Sequence, residues 1–294
     1  MAYQNVGTPR IYLNIPEWLA STGTVIDPVY RTLPVGSFVF TSSLITIPAG
    51  IMSTQSFLAI LGHTLNTAGI DPDVKRDNMV SGGLSNIING FPASGLDGFS
   101  IFEYGADGVT SVEIENIDNQ NVGSVIFGIY YDFPHSPDLN LSLSYEYGGI
   151  KETTTKGGAT LTNAFYTKPP KWTGSLGAWE LGGEPKYAKS GRRVWDLSFS
   201  YLNDSSVFPD NAGLVNETDA DTNLNLLEDD TFQRVIHLTN GGQLPFLFQS
   251  DNTVDATSPK PDQLAIAKFD MNSFKFDQVA NSVYNVKLKI REVW

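Results

Sequence analysis

The sequence predicts an all-β protein, because apolar and polar residues alternate along several segments while helical patterns are scarce. Residues 139–147, 194–202 and 283–293 each place an apolar or aromatic residue at every second position. Successive side chains of a strand point to opposite faces, so this spacing is typical of antiparallel strands with one face on a core. Sandwiches and barrels are built from such strands.

The alternation also predicts which side chains are buried. In the three segments these are Leu139, Leu141, Leu143, Tyr145 and Tyr147, then Trp195, Leu197, Phe199 and Tyr201, then Tyr284, Val286, Leu288 and Ile290. Residues 37–40, 56–61 and 124–131 are apolar on both faces, which predicts central strands.

One short helix is predicted in the C-terminal half, within residues 228–242. Asp230 can cap its start, three apolar residues share a face, and Asn240-Gly241-Gly242 ends it. A shorter turn of helix is predicted near residues 16–22.

We divide the chain at residue 134 into an N-terminal β-domain, 1–134, and a C-terminal antiparallel β-domain, 135–294. The strand at 139–147 could belong to either half. Residues 148–190 and 203–230 are polar or dense in proline and glycine, which predicts extended loops. Loops of that length are usually functional or ordered by partners.

Charge and composition exclude several classes of function. The chain has 19 basic and 32 acidic residues, a net charge of −13, so it would repel nucleic acid. It has no cysteine, hence neither disulfides nor thiolate sites. Its first residues lack a secretory pattern and no apolar run approaches the ~18 residues of a membrane span, so we expect synthesis in the cytosol without membrane insertion.

His63 is the first candidate functional residue, because it follows the apolar run of "SFLAILGHTLNTAG". A metal ligand or catalytic base needs partners, and neither His135 nor His237 lies at a metal-binding spacing from it. We therefore expect a structural corner residue at a strand end, with a ring nitrogen bonded to a loop carbonyl.

Asp219, Asp221 and Asn223 alternate as in the first half of a calcium-binding loop. Leu224 occupies the position that needs glycine, and Asp230 the position of the bidentate glutamate. A solvated acidic loop therefore explains them better, and we predict no metal and no cofactor.

No catalytic pattern stands out elsewhere in the chain. There is no G-x-S-x-G elbow or phosphate-binding glycine loop, and the acidic residues are scattered through loops. We therefore predict that the protein is not an enzyme. Tyr104 and Trp172 are candidate glycan contacts, although aromatic residues in such positions more often anchor cores and interfaces.

Two segments carry a resemblance to a known module. "FLAILGHTLNTAGI" (57–70) and "SVEIENIDNQNVGSVIFGIYYDFP" (111–134) resemble the galactose-binding-like jelly roll found in structural proteins of tailed phages. In that module an apolar strand runs into a corner, here Gly62-His63-Thr64-Leu65, with Thr64 in place of the usual asparagine. The resemblance implies an N-terminal jelly-roll β-sandwich with His63 as its corner residue.

The C-terminal half resembles virion proteins of marine tailed phages. Three segments carry this resemblance: 190–208 ("SGRRVWDLSFSYLNDSSVF"), 235–251 ("VIHLTNGGQLPFLFQSD") and 265–294 ("AIAKFDMNSFKFDQVANSVYNVKLKIREVW"). Together the resemblances imply a distal tail or baseplate protein, assembled in the host cytoplasm. It would form a homo-oligomeric ring with other virion proteins and join the tail tube to receptor-binding parts.

Two other functions stay open at this point. One is a fibre or adhesin that binds a host surface glycan through Tyr104 or Trp172, and the other is a capsid decoration protein. The basic face of Lys287, Lys289 and Arg291 is compatible either with an acidic partner surface or with plain solvation.

Overall fold

The computed structural model describes residues 6–33, 37–40, 43–46, 55–70, 72–78, 83–86, 89–91, 98–104, 111–117, 119–146, 150–164, 192–209, 230–252 and 264–293. Antiparallel strands predominate throughout these residues, and the helices are short. The predicted all-β class is confirmed.

The described residues form nineteen strands and four short α-helices. The strands are β1 (Arg10–Asn14), β2 (Phe38–Phe40), β3 (Ser43–Thr46), β4 (Ser56–Leu61), β5 (Asp73–Asn78), β6 (Gly83–Asn86), β7 (Asn89–Phe91), β8 (Phe99–Tyr104), β9 (Ser111–Glu115), β10 (Gln120–Val122), β11 (Ser124–Asp132), β12 (Ser142–Glu146), β13 (Ile150–Thr154), β14 (Thr160–Ala164), β15 (Arg192–Asn203), β16 (Phe246–Gln249), β17 (Leu264–Phe269), β18 (Phe276–Ala280) and β19 (Val283–Glu292). The helices are α1 (Ile15–Ser21), α2 (Leu65–Ala68), α3 (Asp204–Val207) and α4 (Phe232–Leu238), with a 3₁₀ turn at Pro28–Tyr30.

One large sheet organises the molecule. Its eleven strands follow the order β12-β15-β19-β17-β16-β1-β11-β4-β8-β7, with β18 added beside β19. A second sheet has the order β3-β9-β5-β6, and two ribbons pair β2 with β10 and β13 with β14. All pairings among the described strands are antiparallel.

Strand β1 links the two halves of the sequence. Arg10 lies opposite Asp132 of β11 on one side and opposite Gln249 of β16 on the other. Strands from both sides of residue 134 therefore share one hydrogen-bonded ladder. The division into domains 1–134 and 135–294 stays a prediction.

Strand β11 contributes to three buried clusters, which explains its apolar character on both faces. Val125 and Phe127 pack on the four-stranded sheet, in a sandwich-like contact. Ile129 belongs to the largest cluster, with α4 and the C-terminal strands, and Ile126 lies in a third cluster on the opposite face. Strands β4 and β11 are therefore central, as predicted, while the jelly-roll topology stays a prediction.

The predicted buried faces of β15 and β19 are confirmed except at Tyr284, which is only partly buried, and at Tyr201. Trp195, Leu197 and Phe199 are buried, but Tyr201 is 76% exposed. A bulge between Phe199 and Leu202 inserts one extra residue and turns Leu202 inward, while Tyr201 adopts a φ of 62°. The prediction for Tyr201 was wrong because strict alternation cannot anticipate a bulge.

Two other strand predictions need correction. Residues 37–40 form no central strand, because β2 pairs only with β10 among the described residues and Val39 is 66% exposed. Leu139 precedes β12 and is fully exposed, whereas Leu141 and Leu143 pack against the core. Tyr145 is 37% exposed, and Tyr147 lies outside the described residues.

The predicted loops are only partly loops. Within 148–190, strands β13 and β14 form a hairpin around a turn at Thr155–Gly158, and residues 165–191 lie outside the described part. Within 203–230, α3 follows β15 directly, and residues 210–229 are not among those described.

The helix predicted within residues 228–242 is confirmed as α4. Its N-cap is Thr231 rather than Asp230, which lies one residue earlier. The turn near residues 16–22 is confirmed as α1, with a proline in its first turn. The expectation of one helix in the C-terminal half was wrong, because α3 is a second.

We predict that Gly128→Ala unfolds or strongly destabilises the protein. A β-carbon at Gly128 would lie 2.0 Å from the Leu13 carbonyl oxygen and 2.9 Å from Ile15 Cγ1, where β1 passes into α1. Neither backbone can move without breaking the central ladder, so the loss in free energy of unfolding should be at least about 3 kcal/mol. Urea denaturation followed by circular dichroism measures it.

Gly157→Ala is the matched control. A β-carbon there meets only Thr155 Oγ1, at 4.0 Å, so the variant should be about as stable as the parent. Equal stability of the two alanine variants would contradict the close approach of β1 to β11.

Candidate functional site

His63 lies in a backbone corner at the end of β4 and is only 1% exposed. Gly62, at a φ of 68°, turns the chain there. Its N–H donates to the Gly98 carbonyl at 2.6 Å, and the Gly98 N–H donates to the His63 carbonyl at 2.8 Å. The end of β4 is thereby tied to the residue that precedes β8.

The His63 ring also holds this corner. Nδ1 accepts the Leu65 N–H at 3.3 Å, and Nε2 lies 2.9 Å from Ser100 Oγ. Because Nδ1 is an acceptor, the proton of the neutral ring sits on Nε2 and is donated to Ser100. Among the described contacts, the ring is thus bonded to a backbone N–H and to a hydroxyl; its bond to a loop carbonyl stays a prediction.

This arrangement is unsuited to activating Ser100 as a nucleophile. A histidine base must accept the serine proton on its free nitrogen, while its other nitrogen donates to an orienting group. In His63 the roles are reversed, since Nδ1 accepts from the backbone. The geometry supports a structural role.

The other two histidines have separate surroundings. His135 Nδ1 lies 2.7 Å from the Ser136 carbonyl oxygen. His237, in the last turn of α4, lies beside Trp18 with ring centroids 5.6 Å apart, and partial burial lowers its pKa.

Arg10 is the centre of a polar network that sequence reasoning missed. Its Nε and NH2 donate to the two oxygens of Asp132 at 2.6 and 2.8 Å, and its NH1 lies 2.5 Å from Glu103 Oε1. The guanidinium also lies over the Tyr130 ring, 4.1 Å from the centroid. Two carboxylates and an aromatic face therefore surround one largely buried cation.

Tyr12 extends the network across β1. Its hydroxyl lies 2.6 Å from Glu103 Oε1 and 2.8 Å from Gln249 Oε1, and Gln249 Nε2 donates to the Asp251 carbonyl. Burial raises the pKa of Tyr12 well above its usual value, and Glu103 adds to that shift, so the phenol stays neutral. The network, defined here as Arg10, Tyr12, Glu103, Asp132 and Gln249, joins β1 to β8, β11 and β16.

Asp230, near this network, has a raised pKa of the kind that a general acid needs. Partial burial of its carboxyl raises its pKa to about 6, although the residue as a whole is exposed; Arg234 opposes the shift and Asp132 adds to it. Acid–base chemistry needs a second available group, and Asp132 is held by both arms of Arg10. The arrangement stabilises the fold more readily than it supports a reaction.

The basic face of β19 is largely neutralised within the chain. Arg291 lies 2.5 Å from Glu146 on β12, and Lys289 lies 3.2 Å from Asp270. Two of the three cations thus already have carboxylate partners, which favours solvation over an acidic partner surface.

The remaining candidates are not brought together by the described structure. Tyr104 ends β8 opposite Ser56, but its side chain is not described. Trp172, Asp219, Asp221 and Asn223 lie outside the described residues. Among the residues that are described, no group of three histidine or acidic side chains could hold a metal ion. No described helix has the length and apolarity needed to cross a membrane.

Comparison with models of known protein families, with curated proteins and with solved structures found no match for this chain.

We predict that His63→Leu lowers the free energy of unfolding by about 3 kcal/mol, because it leaves the Leu65 N–H and the Ser100 hydroxyl buried without their partner. Ser100→Ala removes only one of the two bonds and should cost about 1 kcal/mol. Chemical denaturation measures both. His135→Leu, at a more exposed histidine, serves as control, and a His63→Leu variant as stable as this control would contradict the corner role.

We predict that Arg10→Met lowers the free energy of unfolding by about 3–5 kcal/mol, more than His63→Leu does. The reason is that Asp132 and Glu103 would keep their charges without the cation. Arg10→Lys keeps the charge but cannot bond both oxygens of Asp132 in the same plane, so its loss should be intermediate. Thermal and urea unfolding give the ranking. A lysine variant less stable than the methionine variant would contradict a network held by charge.

Proposed function

We propose that this chain is a non-enzymatic structural protein of a tailed phage virion. In this proposal it forms a homo-oligomeric ring in the distal tail or baseplate and joins the tail tube to receptor-binding parts. The assignment to a virion rests on the resemblance of residues 57–70, 111–134 and the C-terminal segments to such proteins.

The observation that carries the assembly role is the location of the exposed apolar side chains. Seven large apolar side chains are exposed in the described residues. Four of them, Val39, Tyr145, Leu161 and Val279, lie in strands that pair on one side only within the described part. Exposed strand edges with apolar side chains are sites where other chains add.

The distribution of charge supports the same role. Only 17% of the residues are charged, and several of the partly buried charges are paired within the chain, as in the Arg10 network and in Arg193 with Glu292 at 2.9 Å. Depletion of charge is characteristic of interface cores. A surface of this composition suits repeated contacts between subunits.

Immunogold electron microscopy of particles made by the phage that encodes the chain tests this proposal. We expect gold at the distal end of the tail on intact particles, with antibody preadsorbed to the purified protein as control. Gold over the head would replace the proposal with a decoration protein, and gold along fibres would favour the glycan-binding alternative. The virion assignment would be overturned if neither intact nor disrupted particles contained the protein.

A further inference from the structure

Strand β18 is an exposed edge of the large sheet. Within the described residues it pairs with β19 alone, through Phe276 opposite Val286 and Gln278 opposite Tyr284. The four residues from Asp277 to Ala280 are exposed to solvent. Its outer side therefore presents backbone groups that another strand can bond.

The segment leading into β18 has a strict inside–outside order. Phe274 and Phe276 pack against the largest core cluster, where both rings lie close to Phe232. Lys275 and Asp277 point away from that core, with side chains 79% and 55% exposed and 2.7 Å between Nζ and Oδ1. The edge thus carries one cation, at Lys275 just before β18, and one anion, at Asp277 within β18, both directed away from the core.

We propose that β18 pairs antiparallel with β18 of a second copy of this chain, about a twofold axis at Phe276. In this register Lys275 of each copy lies opposite Asp277 of the other. A Lys-x-Asp segment that meets itself across a twofold axis forms two opposite-charge pairs, and directly opposed unlike charges stabilise an antiparallel ladder.

The same features select this register and this partner. Shifting the centre by one residue, to Lys275 or Asp277, would place two like charges directly opposite each other, and shifting it to Gln278 would place Asp277 opposite the bulge at Val279. The bulge at Val279 interrupts the regular pairing of β18, which discourages longer unspecific pairing. An antiparallel strand of another protein would need its own cation and anion two residues apart in the same order. A second copy of this chain supplies them by symmetry.

This proposal rests on the sheet edge and does not depend on the proposed function. If the chain does not dimerise through β18, the virion proposal is still decided by the labelling experiment. If the protein is absent from particles, the proposed dimer is still decided by its own experiment. The two experiments therefore fail separately.

Analytical ultracentrifugation of the full chain tests the register through charge reversal. The parent should show a concentration-dependent monomer–dimer equilibrium between about 5 and 500 µM at low salt. Lys275→Glu and Asp277→Lys each create two like-charge contacts in the dimer and should each weaken association about tenfold. The double variant Lys275→Glu/Asp277→Lys restores both opposite-charge pairs and should return the dissociation constant to within about threefold of the parent.

Lys289→Glu is the matched control. It reverses another exposed, paired lysine, that of the Lys289–Asp270 pair, away from the β18 edge, and should leave association unchanged. Thermal unfolding confirms that each variant is folded. A parent that stays monomeric throughout, single reversals without effect, or a double variant that does not recover would each overturn the proposal.

Discussion

The pairing of β1 on both of its sides is the constraint on which the rest of the fold depends. Its five residues pair with β11 on one side, and three of them pair with β16 on the other, so β1 closes a ladder between strands far apart in sequence. Contacts of this kind, such as Tyr12 with Gln249 at a separation of 237 residues, are costly in chain entropy. They persist because both faces of β1 are buried: Ile11 and Leu13 lie in one cluster and Tyr12 in another.

Burial of β1 on both faces determines the chemistry around Arg10. A cation at the end of such a strand has little water available, so its stability requires charged partners with good geometry. Asp132 supplies two oxygens from the facing end of β11, and Glu103 supplies a third from β8. Tyr12 then shares Glu103 with Arg10, which couples the side chains of the strand to one another. The network is thus best explained by the position of β1, which is paired on both sides and so needs partners for its buried polar groups from the neighbouring strands.

The sequence predicted what depends on neighbouring residues and missed what depends on distant strands. Alternation identified Trp195, Leu197 and Phe199 as buried, because a strand on a core imposes that period locally. It failed at Tyr201, because the bulge exists only in relation to β19. His63 was recognisable as a corner from the run before it, and its bond to Leu65 is local, whereas its partner Ser100 comes from another strand. Arg10 and Asp132 each stand at the end of an apolar run, which was the available signal for their pairing.

The edges of the large sheet are where other chains could bind, because an edge strand leaves backbone N–H and C=O groups without a neighbouring strand. Strand β18 is short, bulged at Val279 and flanked by exposed charges, which are the features that discourage unspecific pairing. The same charges become complementary when the strand meets its own copy in one register. The specificity of such an edge comes both from attraction between opposite charges in the correct register and from repulsion between like charges in other registers. The proposed dimer needs this combination, since its two copies must join in one register while other strands are kept from pairing with the same edge.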